Sequence, residues 1–250
     1  MAFFNGSVKS ECMQMRTGLA VSLPYDGADV NREEVPVVYL LHGLSDDHTC
    51  WFRYTSAERY ANEKGAVLVI PEVQRSFYTD MAYGLPYFTY ITEELPEIIR
   101  RLFGLAPDRD NCFVAGLSMG GYGAMKCALA KPGQYGGCAA FSSVTDTGRR
   151  DDSALPGEEF TGIFGPSVPE KDDLFHLAGR CAALPEKERP RLYISCGRED
   201  GLISDNEKFH AHLQKLGYAH TYETWPGVHE WGFWDESLRR ALELFLGQEG

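Results

Sequence analysis

One serine stands between two glycines where the sequence changes from an apolar run to a stretch of small residues. The segment reads Gly116-Leu-Ser118-Met-Gly120 and follows the apolar run Cys112-Phe-Val-Ala115. A serine on a sharp turn from a strand into a helix exposes its hydroxyl, and flanking side chains would collide with the neighbouring backbone. The N–H groups at the start of the helix favour negative charge beside that hydroxyl. The pattern therefore predicts a nucleophile at Ser118 and an oxyanion donor at the N–H of Met119.

An acid and a base follow two later strand patterns. Arg191–Cys196 is typical of a buried strand and precedes a turn with Asp200, while Ala219–Thr224 alternates like a strand and precedes His229. The order serine, aspartate, histidine, each after a strand, favours a nucleophile, an acid and a base that meet at one sheet edge. A G-x-S-x-G pattern also occurs in turns that only pack a helix on a strand. The prediction of a catalytic site therefore depends on all three residues together.

Two nearby carboxylates compete with Asp200 for the role of the acid. Glu199 directly precedes Asp200, and Asp205 follows a few residues later. We expect Glu199 to point away from the site if the turn stays extended. Asp205 is expected to cap or open the helix that follows. Asp200 is therefore the predicted acid.

The loop after the first buried strand is the expected source of a second oxyanion donor. Val35–Leu41 is followed by His42-Gly43-Leu44, and the position of this loop predicts the N–H of Leu44 as the donor. Gly43 would let a substrate carbonyl approach without a side chain in the way. His42 lies next to the site, but we expect it to orient the loop through hydrogen bonds rather than to serve as the base.

Large aromatic residues gather in the loops and helix starts around the predicted site. We expect most of them to pack in the core, because large rings usually serve packing. Trp51 and Trp231 are predicted to line an acyl pocket, and Trp231 shares a helical face with Trp234. The full set is Trp51, Phe77, Tyr78, Tyr83, Tyr87, Trp231 and Trp234.

The composition is that of a compact folded protein rather than a disordered one. The 250 residues are 44% hydrophobic and carry a formal net charge of −12, which argues against nucleic acid or an anionic membrane as the main partner. No apolar run is long enough to span a membrane and no leader is visible, so a cytoplasmic location is the expectation. The seven scattered cysteines are expected to be reduced packing residues. We expect no metal and no cofactor, and the oligomeric state stays open, with a homo-oligomer compatible.

Apolar runs of strand length alternate with helical patterns along the chain. Residues 7–24 predict one or two antiparallel edge strands, and the alternation after them predicts a mostly parallel, twisted sheet with helices on both faces. The remaining strands are predicted at 35–41, 66–70, 111–115, 137–141, 191–196 and 219–224, and helices at 56–64 and 87–103. We expect one α/β domain over 1–250, with a cap or substrate-loop insertion at about 144–180. Its first part, 144–169, is either a solvated surface insertion or a mobile cap.

Five motifs together give the chain a family resemblance. They are Leu41-His-Gly-Leu-Ser45 with Trp51, Tyr78-Thr-Asp80, Ala115-Gly-Leu-Ser-Met-Gly-Gly-Tyr-Gly123, Cys196-Gly-Arg-Glu-Asp200, and His229-Glu-Trp231 with Trp234. On these motifs the chain resembles the esterase D-like group of α/β-hydrolases, and within it the bacterial tributyrin esterases. The resemblance covers nearly the whole chain and implies the α/β-hydrolase fold.

The resemblance implies a serine carboxylesterase that hydrolyses short acyl esters, of acetyl or butyryl type, through an acyl-enzyme and without a cofactor. Its relatives include feruloyl and acetyl esterases of plant cell-wall esters and S-formylglutathione hydrolases. The chain departs from the last group, because residues 42–46 read His-Gly-Leu-Ser-Asp where that group carries Gly-Leu-Thr-Cys. Acyl transfer to another alcohol and a non-catalytic binding scaffold are the alternatives from other classes.

Overall fold

A single sheet of eight strands lies at the centre of the part of the chain that the structure describes. The structure is a computed structural model and describes residues 1–24, 34–148 and 155–247. The strands are β1 Ala2–Ser10, β2 Met15–Leu23, β3 Val37–Leu41, β4 Val67–Pro71, β5 Cys112–Leu117, β6 Gly137–Phe141, β7 Arg191–Gly197 and β8 His220–Trp225. Their order across the sheet is β1-β2-β4-β3-β5-β6-β7-β8. The pairs β1–β2 and β2–β4 are antiparallel and the others are parallel. The predicted α/β fold with a mostly parallel sheet is confirmed.

Helices cover both faces of this sheet. They are α1 Cys50–Tyr54, α2 Ala57–Glu63, α3 Tyr87–Thr89, α4 Leu95–Phe103, α5 Met119–Ala130, α6 Gly157–Phe164, α7 Leu174–Ala182, α8 Ile203–Lys215 and α9 Trp231–Leu246. Side chains of β3 alternate between two apolar cores, one with Tyr39 and Leu41 and the other with Leu40. Helices α4 to α8 pack on the first core, and α1, α2 and α9 pack on the second. In the described ranges no helix is long and apolar enough to cross a lipid bilayer.

The strand order brings two loops together at the carboxyl edge of the sheet. From β3 the chain passes to β4 on one side, and β5 then pairs with β3 on the other side, with Leu41 opposite Gly116. Such a reversal of strand order opens a crevice at the strand ends, where ligands bind in α/β sheets. The residues after Leu41 and the residue Ser118 therefore emerge side by side.

One predicted helix has an irregular turn with an identifiable cause. The pattern over 87–103 predicts a regular helix, whereas the structure has α3, a π-helical turn Tyr90–Glu94, and α4. Pro96 has no N–H and its ring would collide with the carbonyl four residues earlier. That carbonyl belongs to Thr92 and instead accepts a hydrogen bond from Gln134 Nε2 at 3.0 Å. The wider turn thus leaves Thr92 a partner outside the helix.

Helices α6 and α7, in the described part of the chain between β6 and β7, pack against the first core. In α6, Phe160, Ile163 and Phe164 are buried, and the Arg75 guanidinium donates to both carboxylate oxygens of Glu159, at 2.5 and 2.8 Å. Helix α7 buries one face and is the crossover that covers the sheet between β6 and β7. Residues 149–154 of the predicted insertion lie outside the described residues. The division into one domain with a cap at about 144–180 stays a prediction.

Candidate active site

The turn after β5 holds Ser118 in a conformation that few residues adopt. Ser118 has φ 52° and ψ −116°, and it directly precedes α5. Such a backbone costs energy and persists only where the surroundings enforce it. A Cβ at Gly116 would lie 2.4 Å from the carbonyl oxygen of Gly120, and a Cβ at Gly120 would lie 2.3 Å from that of Leu41. Both glycines of the motif are therefore required by close backbone contact, as the sequence predicts.

Replacing Gly120 by alanine is expected to lower the free energy of unfolding by about 1–3 kcal/mol, the usual cost of overpacking. The added Cβ would meet two backbone carbonyls, which cannot rotate away as a side chain can. Gly179→Ala in α7 is the matched control, because nothing lies within 4 Å of its added Cβ. Alanine there is expected to raise the free energy of unfolding by up to about 1 kcal/mol. Urea unfolding of both variants measures the difference, and equal stabilities would contradict this packing argument.

Three side chains predicted from separate parts of the sequence lie within hydrogen-bond distance of one another. The Ser118 hydroxyl donates to His229 Nε2 at 3.1 Å, and His229 Nδ1–H donates to Asp200 Oδ2 at 2.9 Å. Because the carboxylate can only accept, the ring proton lies on Nδ1 and Nε2 is free to accept a proton. A serine placed in this way can be deprotonated as it attacks a carbonyl carbon.

The environment of Asp200 keeps its carboxyl group charged. The residue is 3% exposed, and its second oxygen accepts the N–H of Leu202 at 2.9 Å. Burial raises the pKa of Asp200, but the hydrogen bonds from His229 and from the Leu202 N–H outweigh burial and hold that pKa below its ordinary value of 3.8. The His229 side chain is 38% exposed. A fixed negative charge therefore supports a base that an incoming substrate can reach.

Glu199 has a role that the sequence did not predict. Its carboxylate accepts the N–H of Gly227 at 2.7 Å, and its own N–H donates to the Gly227 carbonyl at 3.1 Å. It therefore points away from Ser118, as expected, but it also fixes the loop that carries His229. The ring of Trp234 lies 4.9 Å from the His229 ring at an interplanar angle of 85°. The sequence signal for this support is that Glu199 and Gly227 each follow a predicted strand, so that their loops can meet at one edge of the sheet.

The predicted oxyanion donors lie at the ends of the neighbouring strands β3 and β5. The N–H of Leu44 donates no hydrogen bond to the described residues, and Met119 is the first residue of α5, where an N–H has no partner within the helix. A Cβ on Gly43 would lie 2.6 Å from Asp46 Oδ2 and 2.7 Å from Leu117 Cδ1. Gly43 thus leaves no room for a side chain. The two free N–H groups are available to an anionic oxygen.

His42 is buried and takes part in the loop rather than in the contact with Ser118. Its Nδ1–H donates to the carbonyl of Gly43 at 2.8 Å, and its Nε2 accepts the N–H of Val73 at 3.2 Å. Both ring nitrogens therefore have partners in the neutral form of the ring. This geometry agrees with the expectation that His42 orients the loop.

The two tryptophans predicted for the acyl pocket lie at different depths. Trp51 is fully buried in α1, and its Nε1–H donates to the carbonyl of Leu41 at 3.1 Å. The structure thus places it below the open surface, where it packs edge-on against Trp231 at a centroid distance of 5.3 Å. Trp231 is only partly buried and also packs against Tyr54, which is 52% exposed. Of the pair, only Trp231 keeps an open face.

The described residues hold no group of three His, Cys, Asp or Glu side chains arranged to bind a metal ion. The acid and the base of the site are both engaged in the hydrogen bonds described above. The groups of the site that can take part in a reaction are the side chains of Ser118, His229 and Asp200, and the backbone N–H groups predicted as oxyanion donors.

Comparison with known proteins places the chain in a family. A family model described as "Putative esterase" matches residues 10–245. The chain belongs to this esterase family. The esterase is 27% identical to an acetyl esterase of Caldicellulosiruptor saccharolyticus, over 97% of each chain. The resemblance inferred from the motifs is thereby confirmed.

Two solved structures from Staphylococcus aureus match the esterase along almost its whole length. The substrate-bound, fluorophosphonate-binding serine hydrolase FphF superposes with a TM-score of 0.88 at 33% identity, covering 98% of each chain. An S-formylglutathione hydrolase superposes with a TM-score of 0.85 at 33% identity, again over 98% of each chain. The esterase is a serine carboxylesterase, and its substrates are small-molecule esters.

Proposed function

We propose that this esterase hydrolyses short acyl esters, of acetyl or butyryl type, through an acyl-enzyme on Ser118. The observation that carries the proposal is the pair of hydrogen bonds from Ser118 to His229 and from His229 to Asp200, at 3.1 and 2.9 Å. The similarity of an acetyl esterase over 97% of the chain supports the short acyl group. The N–H of Val144 donates to the Ser118 carbonyl at 3.3 Å, which joins the loop after β6 to the turn that carries the nucleophile.

In the first step, Ser118 Oγ attacks the ester carbonyl carbon while His229 Nε2 takes the hydroxyl proton. Asp200 holds the ring in the required tautomer and stabilises the imidazolium that forms. The N–H groups of Leu44 and Met119 receive the oxyanion, each contributing on the order of 3 kcal/mol to lowering the barrier.

The tetrahedral intermediate then collapses. His229 gives its proton to the departing alcohol, and the acyl group stays on Ser118. Water repeats the sequence on the acyl-enzyme: His229 takes a proton from the water, and the carboxylic acid leaves as the proton returns to Ser118. All atoms and protons are supplied by the ester, the water and these residues.

A hydroxycinnamoyl ester is a second candidate substrate, favoured by one specific feature. A row of rings runs from His229 through Trp234 and Trp231 to Tyr54, with successive centroids 4.9, 5.3 and 5.2 Å apart. Such a row beside the base would suit an aromatic group of the substrate, because aromatic pairs prefer these distances.

A panel of esters separates these candidates. We expect kcat/KM to be highest for 4-nitrophenyl acetate or butyrate, to fall for the octanoate, and to be lower for methyl ferulate and S-formylglutathione. Ser118→Ala is the blank, and Ser7→Ala, at an exposed serine in the edge strand β1, is the matched control. A clear preference for methyl ferulate would replace the short-chain proposal with the hydroxycinnamoyl one. A preference for S-formylglutathione would replace it with a thioesterase.

We also propose a cytoplasmic location. All seven cysteines are free, as reduced packing residues would be in a reducing compartment. The esterase activity should then be recovered from the cytosolic fraction of lysed cells. Recovery from the culture medium would contradict this location.

A further inference from the structure

The oxyanion loop, residues 42–46, is held by hydrogen bonds from three directions. The Tyr78 hydroxyl donates to the carbonyl of His42 at 2.9 Å. The N–H of Gly43, on the same peptide, donates to Asp46 Oδ2 at 3.2 Å. On the next peptide, the Gly43 carbonyl accepts His42 Nδ1–H at 2.8 Å. Three of the four polar groups of these two consecutive peptides thus have protein partners.

The fourth group is the N–H of Leu44. A peptide unit is planar, so its C=O and N–H point in opposite directions and a contact that fixes one fixes the other. The His42 ring and the N–H of Asp46 both donate to the Gly43 carbonyl, at 2.8 and 3.3 Å, and together they set the direction of the Leu44 N–H. Tyr78 and Asp46 fix the peptide before it. The described residues provide a hydrogen-bond partner for each of these groups except the N–H of Leu44, the donor proposed for the oxyanion.

Tyr78 is itself held at some energetic cost. Phe77 and Tyr78 have φ of 50° and 51°, two consecutive residues in the left-handed region that favours glycine. Non-glycine residues in this region cost about 1 kcal/mol or more each, and such strain gathers at functional sites. The Tyr78 side chain is fully buried, and a Cβ on Gly123 of α5 would lie 2.4 Å from its ring. The glycine thus makes room for the tyrosine ring.

A buried ion pair anchors the Tyr78 backbone from the other side. Lys126 of α5 is 2% exposed and its Nζ donates to the Tyr78 carbonyl at 3.2 Å. The same Nζ forms a salt bridge with Asp172, which is 3% exposed. Separating Lys126 from Asp172 would leave an uncompensated charge in the protein interior, which is strongly unfavourable. The pair therefore keeps Lys126 in place beside the Tyr78 carbonyl. Helix α5, which follows Ser118, therefore holds both the Tyr78 backbone and Asp172, which lies just before α7.

We propose that Tyr78 is a positioning residue that aims the Leu44 N–H at the oxyanion, acting through the His42–Gly43 peptide. The inference rests on the proposed function, because it concerns the donor used in that reaction. Loss of the Tyr78 hydroxyl leaves the His42 carbonyl without that hydrogen bond and allows the His42–Gly43 peptide to move. The Leu44 N–H is then less well aimed, which matters only when negative charge develops on the substrate oxygen. The expected result is therefore a fall in kcat with little change in KM.

Tyr78→Phe tests the proposal, with Tyr90→Phe as the matched control. Tyr90 is equally buried, but its hydroxyl has no hydrogen-bond partner among the described residues. We expect kcat of Tyr78→Phe to fall about 10- to 100-fold, less than the full loss of an oxyanion donor, while KM stays within about threefold. The affinity for a trifluoromethyl ketone analogue should fall in the same proportion as kcat/KM. The pH dependence of kcat/KM should not move, because the His229–Asp200 hydrogen bond is untouched.

Equal kcat values for Tyr78→Phe and Tyr90→Phe, in an active wild-type enzyme, would overturn the positioning role alone. A shifted pH profile would also overturn it, since the effect would then pass through His229. A wild-type enzyme that hydrolyses no ester and does not react with fluorophosphonate would overturn the proposed function and this inference together.

A second variant covers the case in which Tyr78→Phe does not fold. Gly123→Ala displaces the Tyr78 ring and keeps its hydroxyl, and Gly179→Ala is its control in α7. The same fall in kcat with KM unchanged is expected for Gly123→Ala. Unchanged kcat for this variant would overturn the proposal.

Discussion

Replacing Ser118 by alanine is expected to lower kcat for the best ester by a factor on the order of 10⁵ to 10⁶, while the protein stays folded. Alanine removes the hydroxyl oxygen that lies 3.1 Å from His229 Nε2, so no acyl-enzyme can form. The remaining oxyanion donors and substrate binding account for whatever rate is left over water. Steady-state hydrolysis of 4-nitrophenyl butyrate, with the enzyme at high concentration, measures this factor.

The fold should survive the substitution, because alanine has the same Cβ as serine at the φ of 52° and the lost hydroxyl bonds to His229 in the site. Thermal unfolding within a few degrees of the wild type is the control for folding. Ser7→Ala, at an exposed position in β1, should keep the wild-type kcat. Residual activity of the Ser118→Ala protein within tenfold of the wild type would assign the hydrolysis to another residue.

Replacing Asp200 by asparagine is expected to lower kcat by a factor on the order of 10⁴. The carboxylate accepts His229 Nδ1–H at 2.9 Å and the N–H of Leu202 at 2.9 Å. An asparagine can turn its amide NH₂ towards Nδ1, which moves the ring proton to Nε2. The ring then has no lone pair facing Ser118 and cannot take its proton.

Glu199→Gln separates the two adjacent acids. Its side-chain oxygen can still accept the Gly227 N–H, which Glu199 accepts at 2.7 Å, so kcat is expected to stay within about threefold of the wild type. Stopped-flow acylation rates measured from pH 5 to 9 compare the two variants. If Glu199→Gln lost more activity than Asp200→Asn, the assignment of the acid would be wrong.

The sequence predicted those parts of the site that depend on local spacing. Glycine is needed on both sides of Ser118, because a Cβ at either position would lie within 2.4 Å of backbone atoms. Close backbone contact of this kind appears in the sequence as a recognisable motif. Asp200 and His229 were found because each follows an apolar strand, and parallel strands end at one edge. The α/β sheet followed from the same alternation of strands and helices.

Other features depend on contacts between distant segments, which periodicity does not encode. Trp51 was predicted at the pocket, but it belongs to the short helix α1 and is fully buried; a lone aromatic does not reveal which side of a helix faces the core. The irregular turn before α4 could have been predicted from Pro96. Lys126 was a visible signal, a charge in an otherwise apolar helix, yet its partner Asp172 could not be chosen from the sequence among the many other acidic residues.

The most direct test of Ser118 as the nucleophile is the reaction of the folded protein with a fluorophosphonate, followed by peptide mass mapping. We expect one phosphonate adduct, on Ser118, which is lost in Ser118→Ala and in the unfolded protein. His229→Ala should slow the labelling by a factor on the order of 10³ or more, because the hydroxyl then lacks its base. An adduct on another residue, or no adduct in a folded protein that hydrolyses esters, would contradict the central role of Ser118.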